Sequence, residues 1–200
     1  MHFETGHTYH IYNQGNNRRP IFLRKENYRY FLEKVKLYIL PFADILAYCL
    51  MPNHFHLMIF VNRTELVNIF PNDKAETNRT LNDSIGIMLR SYTRAINKEQ
   101  NWSGSLFRKE TKAICLSQAA EPSETWTTIN RVKYIINDSN EINYMQVCFR
   151  YIYNNPIKAN LVNKPILWNY SSAKEYFTSY SPKIINKQKA IELELIINDD

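Results

Sequence analysis

The segment from His54 to Val61 constrains the fold more than any other part of the chain. It reads His-Phe-His-Leu-Met-Ile-Phe-Val, so every position beyond the two histidines is apolar. Successive side chains of a β-strand point to opposite faces of the sheet. A strand that is apolar on both faces is typical of the interior of a sheet that is covered on both sides. The sequence therefore predicts that this segment is a central strand.

The elements around this strand follow from the spacing of apolar residues. Apolar residues recur at helical intervals from Glu26 to Ile39, before Pro41, and again from Leu81 to Ile96, after a helix start at Thr80 with Asp83. Strands are predicted at Tyr9–Asn13, Ile45–Leu50, His54–Val61 and Ala113–Leu116. The resulting order of strand, helix, strand, strand, helix, strand is the split βαβ pattern. We therefore predict an α+β fold, a ferredoxin-like antiparallel sheet with helices packed on it.

The second half of the chain predicts further helices and a tail. A third helix is expected from Ile142 to Asn154, ended by Pro156. Short helices are expected at Ile129–Ile136 and at Ser171–Tyr176. The tail after Pro182 fits one further helix, but the alternation of Ile191, Leu193 and Leu195 with glutamates is more typical of a strand. We expect a single domain over residues 1–180 and a C-terminal tail over 181–200.

Composition narrows the class of protein. The chain has 200 residues, 14% of them aromatic and only 4 glycines, which argues against disorder. Its formal net charge of +6 is a mild bias toward polyanions. The three cysteines are far apart and form neither a disulfide framework nor a metal-ligand spacing. The chain shows no apolar signal core and no run of the roughly 18 apolar residues that span a bilayer. We expect a cytoplasmic protein with no membrane partner.

The histidine pair at the start of the central strand allows two interpretations. His54 and His56 share one face of the strand, with backbones roughly 6.6 Å apart. Either both rings form local hydrogen bonds at a solvent-exposed strand end, or they converge on a divalent metal ion. The apolar run that follows raises the cost of the first alternative, because buried polar groups need partners.

A later helix carries residues that could complete such a site. In the segment Arg150-Tyr151-Ile152-Tyr153-Asn154-Asn155-Pro156, Tyr151 and Asn155 are four residues apart and share one helix face. Tyr151 offers a phenolic nucleophile, and Asn155 offers an amide oxygen that can ligate a metal. Ordinary packing of tyrosines on a helix face is the alternative, since the chain contains 14 of them.

These two motifs together resemble the HUH single-tyrosine transposases. The sequences LMPNHFH and YIYNNPIKANLV resemble the IS200-like transposase family, and within it the REP-associated tyrosine transposases. The likeness covers roughly residues 9 to 162. It includes YHIYNQGNNRRPIF near the start and GSLF at residues 104–107. There are two departures from the family pattern. Gln14 stands where an arginine is expected, and residues 117–141 are a probable insertion before the tyrosine helix.

The resemblance implies a function and a role for each site residue. It implies a ferredoxin-like catalytic domain in which His54, His56 and Asn155 hold Mg²⁺ or Mn²⁺ and Tyr151 is the nucleophile. Such enzymes cut single-stranded DNA beside hairpins and rejoin it through a 5′-phosphotyrosine intermediate, as in DNA transposition. We expect single-stranded or hairpin DNA as the partner. The predicted phosphate contacts are Arg18, Arg19, Arg108 and Lys158, although each could also be an ordinary solvated charge.

Three other functions remain open at this stage. A non-catalytic or domesticated nucleic-acid-binding module of the same fold would bind DNA without cutting it. An HUH nickase would cut one strand without transferring it to another. A metal hydrolase would use the histidines to activate water and would not need Tyr151. The sequence also leaves open whether the protein is a monomer or a homodimer.

Overall fold

The computed structural model describes residues 1–67, 78–117, 144–178 and 184–196, together with two short strands between the second and third of these ranges. None of the helices in these ranges is long and apolar enough to cross a membrane. The strands are β1 (Thr8–Gln14), β2 (Ala43–Met51), β3 (His54–Val61), β4 (Glu65–Leu66), β5 (Arg79–Thr80), β6 (Lys112–Cys115), β7 (Thr127–Ile129) and β8 (Val132–Tyr134). The α-helices are α1 (Lys25–Tyr38), α2 (Leu81–Gln100), α3 (Tyr144–Lys158), α4 (Ala173–Phe177) and α5 (Lys187–Glu192).

The main sheet has four strands in the order β2-β3-β1-β6. Each neighbouring pair is antiparallel. This order, with one helix between β1 and β2 and another between β3 and β6, is the ferredoxin-like arrangement, so the predicted fold class is confirmed. The prediction that the histidine strand is central is also confirmed, because β3 lies between β2 and β1.

Helices α1 and α2 cover one face of the sheet. Their apolar residues join side chains of β1, β2 and β3 in a single core, in which Phe31, Ile85 and Tyr92 are almost fully buried. Helix α2 begins where the sequence predicts. The Thr80 hydroxyl accepts a hydrogen bond from the backbone N–H of Asp83, and the Asp83 carboxylate accepts one from the backbone N–H of Thr80. This reciprocal pair satisfies N–H groups that the first helical turn leaves without partners.

Helix α3 covers the opposite face, and it is longer than the sequence predicts. It continues through Pro156 to Lys158, whereas Pro156 was expected to end it. A proline removes one backbone hydrogen bond and crowds the carbonyl four residues before it. Here Asn155 and Pro156 are both buried, and the last turn is continued by a hydrogen bond from the N–H of Ala159 to the carbonyl of Asn155. Tertiary packing therefore holds the final turn despite the proline.

The predicted short helix over Ile129–Ile136 is wrong. Residues of this stretch form the antiparallel pair β7–β8, in which Ile129 pairs with Val132 and Thr127 with Tyr134. Threonine, isoleucine, valine and tyrosine all favour extended backbone, which explains the outcome. Most of the predicted insertion over 117–141 lies outside the described residues.

The tail packs on the same face of the sheet as α3. Its strand prediction is wrong, because Ile191 lies in helix α5. The Asn186 side chain accepts a hydrogen bond from the N–H of Lys189 and so begins the helix. Ala190 and Leu195 are buried beside apolar residues of α3. The predicted domain boundary at residue 180 lies outside the described residues and stays a prediction.

The outer edge of β2 is covered by two later segments. Residues 168–172 lie along it, with backbone hydrogen bonds from Leu50 N–H to the Tyr170 carbonyl and from Ser172 N–H to the Tyr48 carbonyl. Ile185 forms a parallel bridge with Ile45 further along. Glu175, on α4, joins the second of these segments to β2, because its buried carboxylate accepts hydrogen bonds from the Tyr48 hydroxyl and the Ile184 N–H. Covering an edge in this way removes unpaired backbone groups from solvent.

Candidate active site

The central strand places both histidine rings beneath α3. The ring centroids of His54 and His56 are 5.1 Å apart, and His56 is only 1% exposed. Nδ1 of His54 lies 2.7 Å from the amide oxygen of Asn53, in the turn between β2 and β3. This contact directs the other nitrogen of His54, Nε2, toward the helix.

Helix α3 brings its tyrosine and asparagine to the same place. Asn155 Oδ1 lies 3.3 Å from His54 Nε2, and the Tyr151 ring meets the His56 ring edge to face at a centroid distance of 5.3 Å. The predicted placement of Tyr151, on a helix that faces the His-x-His strand, is confirmed. Although the two motifs are about a hundred residues apart in the sequence, the fold gathers their four side chains into one cluster.

This cluster contains an unusual concentration of unsatisfied polar atoms. Within the described ranges, six buried side-chain nitrogen or oxygen atoms have no hydrogen-bond partner. His56 Nε2 and Asn155 Nδ2 are two of them, and a third is Nδ1 of the neighbouring His10. Leaving such an atom unpaired costs about 1–3 kcal/mol. The unsatisfied atoms of His56 and Asn155 belong to the cluster itself, which indicates a place where a ligand completes their bonding.

Burial keeps the imidazoles neutral. Desolvation lowers the pKa of His54, and the hydrogen bond with Asn155 offsets part of that effect. Desolvation also lowers the pKa of His56 well below its usual range, and the neighbouring rings of His10 and His54 lower it further. The pKa of His10 falls to about 4 by burial. Neutral imidazole is the form that ligates metal ions, so the histidines are in the correct state for that role at neutral pH.

The chemistry of this donor set fits a divalent metal ion. His54 and His56 each offer an imidazole lone pair on Nε2 when the ring proton is on Nδ1, and Asn155 Oδ1 offers an amide oxygen. Mn²⁺ accepts such mixed nitrogen and oxygen ligands, while Mg²⁺ prefers oxygen and would rely more on water and phosphate. No group of three His, Cys, Asp or Glu side chains that could hold a metal occurs in the described part of the chain. The proposed set needs the asparagine as its third member.

The cluster forms one side of an open cleft of about 640 Å³. That volume lies within the range of about 300–1,000 Å³ that is usual for ligand sites. The rest of the cleft is contributed by β1, by the loop after it and by the approach to β6. Besides the four site residues, the lining includes Tyr12, Gln14, Arg18, Arg108, Glu110 and Lys112.

The predicted phosphate contacts lie at different distances from the cluster. Arg18 and Arg108 line the cleft. Lys158 lies one helical turn beyond Asn155, with its ammonium nitrogen 5.2 Å from the centroid of the Tyr151 ring. Arg19 is not part of the lining, and its guanidinium lies 4.1 Å from the centroid of the Trp102 ring.

The loop that carries Arg18 is fixed against the histidine strand. The N–H of Gly15 donates to the carbonyl of Asn53, and the side-chain amide of Asn53 donates to the carbonyl of Arg18. A Cβ added at Gly15 would run into the carbonyl of Arg19, so the loop closes tightly only around a glycine. These contacts hold Arg18 beside the strand end at which His54 lies.

Sequence reasoning missed two residues of β1 that belong to this site. His10 and Tyr12 point to the same face as the histidine pair, and Tyr12 pairs with His56 across the ladder. The available signal was the period-two spacing of the two side chains in the first predicted strand. It does not reveal which strand pairs with which, so the sequence could not place them beside His56.

Comparisons with known proteins support the fold and leave the activity to be tested. No protein-family model matches the chain, and no curated protein matches it. A solved structure of a REP-associated tyrosine transposase bound to a REP hairpin is similar to this chain, with a TM-score of 0.54. The similarity covers 93% of this chain and 88% of that chain, at 14% sequence identity. At that identity, the likeness shows a shared fold.

Proposed function

We propose that this protein is a metal-dependent transesterase that cleaves and rejoins single-stranded DNA through a 5′-phosphotyrosine intermediate. The convergence of Tyr151, His54, His56 and Asn155 at the cleft is the observation that carries the proposal. The similar solved structure is of a transposase bound to a REP hairpin. We therefore propose hairpin-forming palindromes as the DNA class and DNA transposition as the process.

The metal site would be formed by His54, His56 and Asn155. A bound Mg²⁺ or Mn²⁺ would polarise the phosphate that is to be cut and offset the charge that develops on it. The protein's own contribution is to hold two neutral imidazoles and an amide oxygen on two elements that pack against each other. Burial of His56 and Asn155 lowers the local polarity, which strengthens electrostatic interactions at the site.

Tyr151 would be the nucleophile. Its phenolic oxygen forms a bond to phosphorus while the bond from phosphorus to the 3′-oxygen breaks. The phenol loses one proton and the departing 3′-hydroxyl gains one, so the step is balanced. The product is a 5′-phosphotyrosine that preserves the phosphodiester energy, and attack by a 3′-hydroxyl of the same or another strand reverses the step. Cleavage and joining therefore need one site and no ATP.

Basic residues around the cleft would guide the DNA strand. Arg18 and Arg108 line the cleft, and Lys158 lies against the ring of Tyr151, where the phosphate would be attacked. Arg19, stacked on Trp102, would contact the strand outside the cleft. Phosphate contacts of this kind position a nucleic acid without reading its sequence.

The decisive experiment is a search for the covalent intermediate. Protein, Mn²⁺ and single-stranded hairpin DNA from palindromes flanking its own gene are incubated, and adducts that survive denaturation are counted. We expect an adduct for the wild type and none for Tyr151→Phe. Tyr153→Phe is the matched control, since Tyr153 lies on the same helix and packs instead against Phe149 and Tyr176.

The other functions predict different results. Cutting without an adduct, unchanged in Tyr151→Phe, would mean metal-dependent hydrolysis. Tight binding of hairpins without cutting would mean a binding module. Adduct formation without transfer to a second strand would mean a nickase.

A further inference from the structure

His10 lies directly behind the proposed metal ligand His56. It is fully buried on β1, and its Nε2 lies 2.9 Å from Nδ1 of His56. The two rings are stacked at a centroid distance of 5.1 Å, and the ring of Tyr12 also stacks on His10, at a centroid distance of 4.9 Å. His10 does not line the cleft, so any effect on bound metal or DNA has to pass through its ring neighbours. These are Tyr12, Tyr151 and His56, and of the three only His56 is hydrogen-bonded to His10.

The hydrogen bond between the two rings has two possible directions. A neutral imidazole carries one proton, so one of its nitrogens donates and the other accepts. If His10 donates, Nδ1 of His56 accepts and Nε2 of His56 carries the proton. That Nε2–H would then be buried without a partner and would have no lone pair for a metal. If His56 donates from Nδ1, its Nε2 presents a lone pair toward the cleft.

We propose that His10 is a positioning residue that accepts the Nδ1–H of His56 and so presents His56 Nε2 to the metal. This inference rests on the proposed function, because it assumes that His56 is a ligand. Metal-ligating histidines commonly donate their second ring N–H to an acceptor, which fixes ring orientation and raises the basicity of the ligand. A neutral histidine that fills this role in place of a carboxylate adds no charge to the buried site.

Packing alone is a weaker explanation for His10. A valine or isoleucine would fill a buried position on a strand without bringing a polar atom that has no partner, and Nδ1 of His10 is such an atom. The unsatisfied nitrogens of His10 and His56 lie at the two ends of one hydrogen-bonded pair of rings. At the end of this pair that faces the other proposed metal ligands, His56 Nε2 has no partner in the structure, and a bound metal ion would supply one.

The test compares two substitutions of nearly equal length. His10→Gln retains an acceptor for the Nδ1–H of His56, whereas His10→Met provides no strong acceptor. Mn²⁺ affinity is measured by titration calorimetry on the full chain, together with the melting temperature of each variant. We expect His10→Met to bind Mn²⁺ about 10- to 100-fold more weakly than the wild type, and His10→Gln to recover most of that loss. His7→Gln is the control, since His7 directly precedes β1, at the end of the strand that lies away from His54.

A second measurement does not depend on the variants folding. Long-range ¹H–¹⁵N spectra of the Mg²⁺-saturated wild type identify which ring nitrogens carry protons. We expect a protonated Nδ1 on His56 and an unprotonated Nε2 on His10. The opposite assignment would overturn the inference, as would a folded His10→Met variant that binds Mn²⁺ as tightly as the wild type.

These outcomes separate the inference from the proposed function. If the wild type binds no Mn²⁺, or binds it as tightly after His54→Ala, then the metal site itself is wrong and the role of His10 falls with it. If His54→Ala weakens Mn²⁺ binding but the His10 variants bind Mn²⁺ as tightly as the wild type, the inference fails and the proposed function stands.

Discussion

The amide oxygen of Asn155 lies 3.3 Å from Nε2 of His54, a contact that joins helix α3 to the central strand across 101 residues of sequence. Because α3 is held at this point, Tyr151, one turn earlier, lies against His56. The relation makes Asn155 both the connection between helix and strand and the proposed third metal ligand.

The contribution of Asn155 to metal binding can be measured directly. We expect Asn155→Ala to weaken Mn²⁺ binding at least about 10-fold, and Asn155→Asp to bind Mn²⁺ more tightly than the wild type, because a carboxylate is the better oxygen ligand. Titration calorimetry gives the affinities. Asn154→Ala is the matched control, since it removes the same group from the neighbouring position. Equal affinities for Asn154→Ala and Asn155→Ala would contradict the assignment.

Lys158 is expected to act on the rate of cleavage. Its ammonium nitrogen lies 5.2 Å from the centroid of the Tyr151 ring, where positive charge would stabilise a phosphate under attack. We expect Lys158→Gln to lower the single-turnover rate at saturating DNA by roughly 10- to 100-fold, and Lys158→Arg to lower it much less. The exposed Lys164 provides the control as Lys164→Gln. A wild-type rate in Lys158→Gln would show that this charge does not reach the reaction.

Arg18 and Arg108 are expected to contribute to binding through phosphate contacts. Each phosphate contact to a single strand adds about 0.7 to the slope of log affinity against log salt concentration. We therefore expect Arg18→Ala and Arg108→Ala each to reduce the slope by about that amount, whatever the sequence of the strand. Fluorescence anisotropy over a salt series measures it. Arg63 lies beyond the opposite end of β3, so Arg63→Ala should leave the slope unchanged. An equal reduction in Arg63→Ala would show that the DNA strand does not bind specifically along the cleft.

Glu175 makes stability depend on pH. Burial raises the pKa of its carboxyl above the ordinary value, and hydrogen bonds from Tyr48, Ile184 and Ile185 offset part of that rise. Between the ordinary pKa of 4.5 and the raised value, the folded protein binds more protons than the unfolded chain. The free energy of unfolding therefore falls as pH rises through that interval and levels off above it.

The variant Glu175→Gln should lack this decline while keeping an oxygen that can accept the Ile184 N–H. Urea unfolding at several pH values measures the difference. The exposed Glu33 provides the control as Glu33→Gln, whose pH profile should match the wild type. A decline of equal size in Glu175→Gln would assign the pH dependence to other groups.

The sequence alone predicted the sheet and its two main helices because their signals are local. The apolar run over His54–Val61 identified β3 and its central position. Thr80 with Asp83 located the start of α2, and a reciprocal pair of hydrogen bonds forms there. Each of these features depends on neighbours within a few residues, so periodicity and end signals are sufficient to find it.

The errors arose where distant contacts override local preference. Pro156 normally ends a helix, yet packing against the sheet carries α3 to Lys158. The alternation around Ile191 is typical of a strand, yet the capping side chain of Asn186 and burial of Ala190 favour a helix. The Asn186 cap lies directly before α5 and was an available local signal, whereas the burial of Pro156 and Ala190 is not visible in the residues of either segment.

In the candidate site, too, some features follow from local sequence patterns and others only from tertiary contacts. The sequence by itself determined which residues could do the chemistry, because alternation puts His54 and His56 on one strand face and helical spacing puts Tyr151 and Asn155 on one helix face. Only the tertiary structure decided that these two faces meet, and that His10 lies behind His56. The order in which strands pair is set by burial of the whole sheet, and no local pattern encodes which side chain will lie across a neighbouring strand.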